Sequence, residues 1–179
     1  MLAEAGTGAL AVRGLHTHDR HPLRVGRLLV RVGAEGAEVP DLAGAGEIGY
    51  LSAFRSYTNQ QSTYAERVAV VGVEAADRES ARAGFSEHQS GLAVDIVPCD
   101  RSCGSLDDVA ASSQGAWVRD HAWEYGYITR YVQGRTDVSG YEPEAWHLRY
   151  IGTDLAKAYH DGGYTTLEEF FGLPGAPTY

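Results

Sequence analysis

Two short segments contain the side chains best suited to chemistry in this sequence. The first, SEHQSGLAVD (86–95), carries His88 in a polar loop and Asp95 in a strand of otherwise apolar residues. A carboxylate in such a strand needs a positive partner to offset the loss of its hydration. Because a turn at Gly91 can bring the loop back beside the strand, His88 and Asp95 could offer a nitrogen and an oxygen to a metal ion. The alternative is that Asp95 forms a salt bridge with an arginine and His88 caps the loop.

The second segment, EPEAWHLRY (142–150), places His147 inside a strand and Glu144 three residues before it. With His88 and Asp95, His147 would complete three nitrogen and oxygen ligands for zinc. Three protein ligands leave one tetrahedral position for water, which is the arrangement of catalytic rather than structural zinc sites. Zinc lowers the pKa of such a water from about 15.7 towards about 7, and Glu144 could then act as a general base. The pattern therefore predicts hydrolysis with Zn²⁺ as the cofactor.

A third segment, SAFRSYTNQ (52–60), places Arg55 where a strand leads into a helix. A guanidinium fixed there can bind a substrate carboxylate through two hydrogen bonds or stabilise a developing oxyanion. An ordinary structural role for Arg55 is the alternative. The remaining histidines have no partner at a spacing that dictates a metal site, and we expect surface or core roles for them; they are His16, His18, His21, His121 and His160.

The elements that must position these residues are a mixture of strands and helices, which indicates an α+β fold. Strands are predicted at Leu23–Val32, Ile48–Phe54, Leu92–Val97, Tyr127–Tyr131 and Ala145–Ile151. Helices are predicted at Tyr57–Val71, Gln114–Tyr125, Asp154–His160 and Thr166–Phe171. A capping box, either Thr165 with Glu168 or Thr166 with Glu169, would open the last helix. The sequence has no internal repeat and no credible linker, so we expect a single domain over residues 1–179.

Composition and charge limit the partners of this domain. The 179 residues are 44% hydrophobic, which is enough to bury a core without disulfides or metals. The 24 acidic residues outnumber the 15 basic ones and give a formal net charge of −9, which argues against binding to nucleic acid or to anionic lipid. No apolar run is long enough for a transmembrane segment, and the first ten residues lack the features of a signal peptide, so we expect neither.

The two cysteines, Cys99 and Cys103, allow three interpretations. They could form a small disulfide loop, which would indicate an oxidising compartment, or remain free thiols, or form half of a soft metal site. The metal interpretation is the weakest because the sequence has no second cysteine pair to complete the site. A disulfide here would close so short a loop that its stabilising effect should be small.

The combination of S-x-H-x6-D, E-x-W-H and an upstream F-R-S-Y-x-x-Q resembles the VanY-type zinc D-alanyl-D-alanine carboxypeptidases, relatives of the VanX dipeptidases in the hedgehog/DD-peptidase superfamily. The similarity extends through EYGYITRY (124–131), SGY (139–141) and TLEE (166–169), and covers about residues 48–172. The fold that it implies is a small α+β domain in which helices pack on an antiparallel sheet, with zinc on the open face. The first 45 residues match no part of this pattern.

The resemblance also implies roles for individual residues. His88, Asp95 and His147 would bind one zinc ion, with Glu144 as the catalytic base. Arg55 would hold the scissile carbonyl or the terminal carboxylate of the substrate. The positions implied as substrate-binding are Ser86, Gln60 and Trp146, the last as a wall of the pocket. The substrate would be a peptidoglycan-derived peptide, which favours action at the cell wall over action on cytoplasmic precursors.

The activity implied by the resemblance is removal of the terminal D-alanine from peptidoglycan stem peptides or their precursors. D-alanyl-D-alanine dipeptidase, L,D-peptidase and endopeptidase activities are alternatives within the superfamily. A dipeptidase must bind a free ammonium group and block longer chains, whereas a carboxypeptidase leaves that side open. A zinc-stabilised binding module without turnover is an alternative of another class. Glu144 and Arg55 beside the three ligands argue against it, since a binding module needs no general base.

Overall fold

The structure is a computed structural model that describes residues 46–99 and 102–176. Its strands are Glu47–Ser52 (β1), Ala93–Cys99 (β2), Tyr127–Tyr131 (β3) and Glu144–Tyr150 (β4). Its α-helices are Tyr57–Val71 (α1), Val73–Glu79 (α2), Ser113–His121 (α3), Thr136–Ser139 (α4), Thr153–Asp161 (α5) and Leu167–Phe171 (α6). Short 3-10 helices occupy Glu87–Ser90, Val109–Ala111 and Ala122–Tyr125. Among the described helices, none has both the length and the apolar character that crossing a bilayer requires.

The four strands form one antiparallel sheet in the order β1-β2-β4-β3, which confirms the expected α+β fold. The two central strands, β2 and β4, are paired so that Asp95 lies directly opposite His147. Directly opposed residues of an antiparallel pair point to the same face, with Cβ atoms about 5 Å apart. The register of the central strands therefore brings together two side chains that are distant in sequence.

The sheet separates a hydrophobic core from the face that carries Asp95 and His147. On the core side, apolar residues of β2 and β4 pack against α3 and the 3-10 helix that follows it. The buried members of this core are Ala53, Val94, Ile96, Val109, Val118, Ala122, Tyr127 and Leu148. A second, smaller cluster joins β3 to α5 and α6 through Ile128, Ala156, Tyr159 and Leu167. The central strands are thus held by packing on the core face, and the edge strand β3 is packed on both faces.

Most predicted elements are confirmed, and the differences have local causes. Strand β3 and helix α1 have the predicted bounds. The helix predicted at Gln114–Tyr125 is wrong beyond His121, because its last turn is a 3-10 helix that ends at Gly126 in a left-handed conformation (φ 86°). The sequence analysis does not predict α2 or α4. The strand predicted at Leu23–Val32 lies outside the described residues.

Two local predictions are resolved by the structure. Of the two predicted caps, the one at Thr166 forms the N-cap of the last helix, because the Thr166 hydroxyl accepts a hydrogen bond from the backbone N–H of Glu169 and donates one to the Glu169 carboxylate. Of the three interpretations of the cysteine pair, the disulfide is the one present, and it joins Cys99 to Cys103.

Close packing of α3 against the preceding chain generates a stability prediction. A Cβ atom at Gly115 would lie 1.9 Å from the carbonyl oxygen of Val109, which is backbone and cannot rotate away. We expect Gly115→Ala to lower the free energy of unfolding by about 1–3 kcal/mol, although alanine is intrinsically the better helix former by about 1 kcal/mol. The measurement is urea unfolding. Asp120→Ala, an exposed change in the same helix, is the control and should stay within about 0.5 kcal/mol. An unchanged stability for Gly115→Ala would contradict the packing.

Candidate metal centre

The three predicted metal ligands meet on the open face of the sheet. His88, Asp95 and His147 are all buried, and one potential ligand atom from each lies within 4.8 Å of the others. The rings of His88 and His147 are nearly perpendicular, with centroids 4.9 Å apart. Among the described residues this is the single group of three or more potential ligands that are close enough to share an ion.

One nitrogen of each imidazole faces Asp95, and the other is fixed by a different partner. The Nε2 atom of His88 lies 3.2 Å from Asp95 Oδ2, and the Nδ1 atom of His147 lies 3.2 Å from Asp95 Oδ1. The Nδ1 atom of His88 is 2.6 Å from the carbonyl oxygen of Ala53. Because a carbonyl can only accept, this nitrogen carries the hydrogen and leaves Nε2 free to bind a cation.

The charges around these ligands suit a cation. Burial alone would raise the pKa of Asp95, but the adjoining His88 and His147 rings lower it well below its ordinary value. Burial opposes charge on His147, yet its hydrogen bonds with Asp95 and Glu87 raise its pKa to about 10. The carboxylates thus draw a proton onto His147, and a bound metal would supply the same positive charge. Two imidazoles and a carboxylate form a donor set that fits zinc.

Glu144 lies at the start of β4, beside the ligands. Its Oε2 atom is 3.6 Å from Nδ1 of His147. Burial, together with the negative charges of Asp95 and Glu87, raises the pKa of Glu144 to about 7, although the cationic neighbours oppose the shift. A carboxyl group at this position can exchange a proton with a molecule bound next to the three ligands.

Arg55 approaches the same group from the loop between β1 and α1. Its Nη2 atom lies 3.7 Å from Asp95 Oδ2, so the alternative salt bridge for Asp95 exists beside the histidine contacts. The guanidinium also donates to the hydroxyl of Ser52 and to the amide oxygen of Gln60, both at 2.8 Å. The backbone N–H of Arg55 donates to the carbonyl of His88, which ties the two loops together. Arg55 is therefore held by several contacts in one orientation.

A cleft of about 410 Å³ opens over these residues. The predicted substrate-binding residues Ser86, Gln60 and Trp146 all line it, as do Arg55 and Glu144. Gln60 is almost fully buried, and its amide nitrogen donates to the carbonyl of Ala81 while its oxygen accepts from Arg55. Gln60 therefore lies behind Arg55, whereas Ser86 and Trp146 are only half-buried.

Of the remaining histidines, the two within the described residues do not belong to this group. His121 and His160 are at the surface, next to Glu124 and Asp161 respectively. The other three, at positions 16, 18 and 21, lie outside the described residues.

The sequence analysis overlooked Glu87, which is in direct contact with a ligand. Its Oε2 atom is 3.2 Å from Nε2 of His147, and its other oxygen contacts Arg130 and Arg149. Burial opposes its ionisation, but His147 and the two arginines lower the pKa of Glu87 to about 2. Its position beside His88 in the first segment was the available signal. That signal is weak, because the partners of Glu87 are 43 or more residues away.

Comparison with known proteins agrees with this geometry. Residues 43–153 match the sequence model of the family described as VanY, D-alanyl-D-alanine carboxypeptidase. A curated relative, a D-alanyl-D-alanine carboxypeptidase of Enterococcus faecium, is 36% identical over 119 residues, which are 66% of this chain and 34% of the relative. The chain spans between about a third and a half of the length of the curated relatives that it matches.

Solved structures give the same result. The L,D-carboxypeptidase DacB of Streptococcus pneumoniae is 42% identical, with a TM-score of 0.59 over 70% of this chain and 64% of DacB. VanYB in complex with D-alanine-D-alanine is 26% identical, with a TM-score of 0.69 over 92% of this chain and 89% of VanYB. A variant of the VanB-type D,D-pentapeptidase VanY in complex with Zn(II) is also 26% identical, with a TM-score of 0.68 over 91% and 90% of the two chains.

The family match covers more than half of the chain, and it includes the strands that carry Asp95 and His147 and the loop that carries Arg55. The solved VanY structures share its fold along most of its length. The protein therefore belongs to the VanY family of D-alanyl-D-alanine carboxypeptidases.

Proposed function

We propose that this chain is a zinc carboxypeptidase that hydrolyses the terminal D-Ala-D-Ala bond of peptidoglycan stem peptides or their precursors. The observation that carries the proposal is the buried group of His88, Asp95 and His147, with Glu144 and Arg55 at the same cleft. Membership of the VanY family and the zinc and D-alanine-D-alanine complexes of its relatives support it.

The ligand atoms for zinc are Nε2 of His88, the carboxylate of Asp95 and Nδ1 of His147. When bound, zinc would supply a nucleophilic water at neutral pH and polarise the scissile carbonyl. The three side chains are buried. The sheet positions Asp95 and His147, and the hydrogen bond to the carbonyl of Ala53 positions His88. They need little rearrangement to bind the ion, which favours tight binding.

Glu144 is the general base in this proposal. It lies on the cleft side of His147, where it takes the proton of the attacking water and then returns it to the departing D-alanine nitrogen. This proton transfer is what distinguishes an enzyme from a binding module that merely holds zinc. The carboxyl group is placed for it without being one of the three ligands.

Arg55 holds the substrate. Its guanidinium, braced by Ser52 and Gln60, faces the cleft and can bind the terminal carboxylate of D-alanine or the developing oxyanion. Gln60 contributes by fixing Arg55, in addition to its predicted contact with the substrate. Ser86 and Trp146 would contact the peptide directly, since both are half-buried on the wall of the cleft.

L,D-carboxypeptidase activity is the second candidate, and the 42% identity to the L,D-carboxypeptidase DacB favours it. Both reactions release a terminal D-alanine, so both need the same ligands, the same base and the same carboxylate-binding arginine. They differ in the configuration of the residue before the scissile bond. Specificity therefore depends on the cleft wall around Ser86 and Trp146 rather than on the metal centre.

The site of action that fits this substrate is the cell wall, outside the cytoplasm. The disulfide between Cys99 and Cys103 supports this proposal, because such bonds persist in oxidising compartments and are rare in the cytosol.

Removal of the base should separate catalysis from metal binding. We expect Glu144→Gln to lower the rate of D-alanine release by about 10²–10⁴-fold, because the amide cannot accept a proton, while the zinc content is retained. The measurements are turnover of a pentapeptide stem and metal analysis of the purified protein. Glu142→Gln, an exposed change two residues earlier, is the matched control and should leave both unchanged. Normal turnover in Glu144→Gln, or loss of its zinc, would contradict the assignment.

Removal of the guanidinium should affect the substrate and not the metal. Arg55→Ala is expected to lower kcat/KM by about 10²–10³-fold, because a fixed positive charge facing the reacting group is lost. Zinc content should match that of the wild type. Arg78→Ala, which removes an exposed arginine, serves as the control. A wild-type kcat/KM in Arg55→Ala would exclude Arg55 from the mechanism.

Product analysis decides between the candidate activities. We expect mass spectrometry to show that a pentapeptide stem ending in D-Ala-D-Ala loses one D-alanine, and that a metal chelator abolishes the reaction. A tetrapeptide stem and free D-Ala-D-Ala are the comparison substrates. Preferential cleavage of the tetrapeptide would establish the L,D activity instead, and preferential cleavage of the free dipeptide would establish a dipeptidase.

A further inference from the structure

Glu87 has no part in the proposed reaction, yet its carboxylate contacts three charged or polar side chains at the site, those of His147, Arg130 and Arg149. Its Oε2 atom lies 3.2 Å from Nε2 of His147. Its Oε1 atom accepts from Nε of Arg130 at 3.0 Å and lies 3.2 Å from Nη1 of Arg149. Both carboxylate oxygens therefore have partners, and the side chain is only 15% exposed.

The contact is with the nitrogen of His147 that faces away from the other ligands. Nδ1 of His147 faces Asp95 and Glu144, whereas Nε2 faces Glu87. An ionised carboxylate can only accept a hydrogen bond, so when a cation takes the place of the Nδ1 proton beside Asp95, Glu87 keeps the remaining hydrogen of His147 on Nε2. The lone pair then lies on Nδ1, which is the atom that points at Asp95.

Glu87 is itself held by a chain of buried charges. Arg130 on β3 is almost fully buried and donates two further hydrogen bonds, at 2.6 and 3.0 Å, to the carboxylate of Glu168 on α6. Because Arg130 is fixed on both sides, Glu87 cannot rotate towards the ligand group without breaking these bonds. The two arginines also offset its negative charge, so it does not compete with Asp95 for a cation.

The two histidines thus differ in the group that accepts a hydrogen bond from their non-ligating nitrogen. The Nδ1–H of His88 donates to the neutral carbonyl of Ala53, whereas the Nε2–H of His147 donates to the carboxylate of Glu87. A carboxylate partner fixes the ring and increases the basicity of the ligating nitrogen, and loss of such partners typically costs 10–100-fold in metal affinity. Of the two imidazoles, His147 therefore depends more on its partner.

We propose that Glu87 is a positioning residue that holds His147 with its Nδ1 lone pair towards the metal, and that Arg130 and Glu168 keep Glu87 in place. The proposal rests on the zinc site of the proposed function. It assigns Glu87 a role in metal affinity and none in contact with the substrate.

The test compares two variants of Glu87 with a matched control. Glu87→Ala removes the acceptor, whereas Glu87→Gln keeps an oxygen that can accept from Nε2 of His147. Glu124→Ala removes a surface glutamate that also pairs with a histidine, His121, far from the cleft. The measurements are the zinc dissociation constant, by competition with a chelating dye, and the unfolding temperature of the zinc-free protein.

We expect Glu87→Ala to weaken zinc binding by about 10–100-fold, Glu87→Gln to retain most of the affinity, and Glu124→Ala to match the wild type. A wild-type zinc affinity in Glu87→Ala, with only a lower unfolding temperature, would overturn the proposal and leave Glu87 as a structural brace. An equal loss of affinity in Glu87→Gln would overturn it as well, because the acceptor is still present there.

A second measurement needs no variant and so does not depend on whether Glu87→Ala folds. Long-range nitrogen-15 spectra of the zinc-loaded wild type should show His147 with a hydrogen on Nε2, and a hydrogen on Nδ1 would overturn the proposal. The failures are distinguishable. Absence of zinc binding by the wild type overturns the proposed function, whereas zinc binding that is insensitive to Glu87 overturns this inference alone.

Discussion

The structure of the site depends on one buried carboxylate between two imidazoles. Asp95 has one oxygen 3.2 Å from His88 and the other 3.2 Å from His147, in a strand whose neighbours are buried and apolar. A charge in such surroundings is costly unless it is paired. Glu144 adds further negative charge beside Nδ1 of His147, whereas the charge of Glu87 is offset by Arg130 and Arg149. The surplus of carboxylates makes a cation the natural occupant of this face of the sheet.

The rest of the fold fixes the partners of this centre. The register of β2 and β4 sets the distance between Asp95 and His147, and a hydrogen bond to Ala53 sets the orientation of His88. On the opposite side, the contact between Arg130 and Glu168 links α6 to the region around Glu87. Each of these contacts joins segments that are far apart in sequence. The geometry of the site is therefore a property of the complete sheet and its helices and not of any one motif.

The metal centre and the wall of the cleft would contact different parts of the substrate, and this separation would allow one family to contain D,D- and L,D-carboxypeptidases. In the proposed reaction, the ligands, the base and the arginine would act on the scissile bond and on the terminal D-alanine, which both kinds of substrate share. The residue before the bond would contact the wall of the cleft, where Ser86 and Trp146 are only half-buried. Changes in that wall can alter specificity while the buried centre stays the same.

The sequence by itself determined the local elements and the types of residue that form the centre. Helix α1 and strand β3 follow from periodicity and flanking residues within a few positions, and the motifs around His88 and His147 predicted the ligand set and identified the family. Tertiary structure decided the contacts between distant segments: the pairing of Asp95 with His147, the position of Gln60 behind Arg55, and the link from Glu87 to Arg130 and Glu168. The physical reason is range. Propensity and capping act between neighbours, whereas register and buried ion pairs depend on how whole elements pack, which a single sequence does not display.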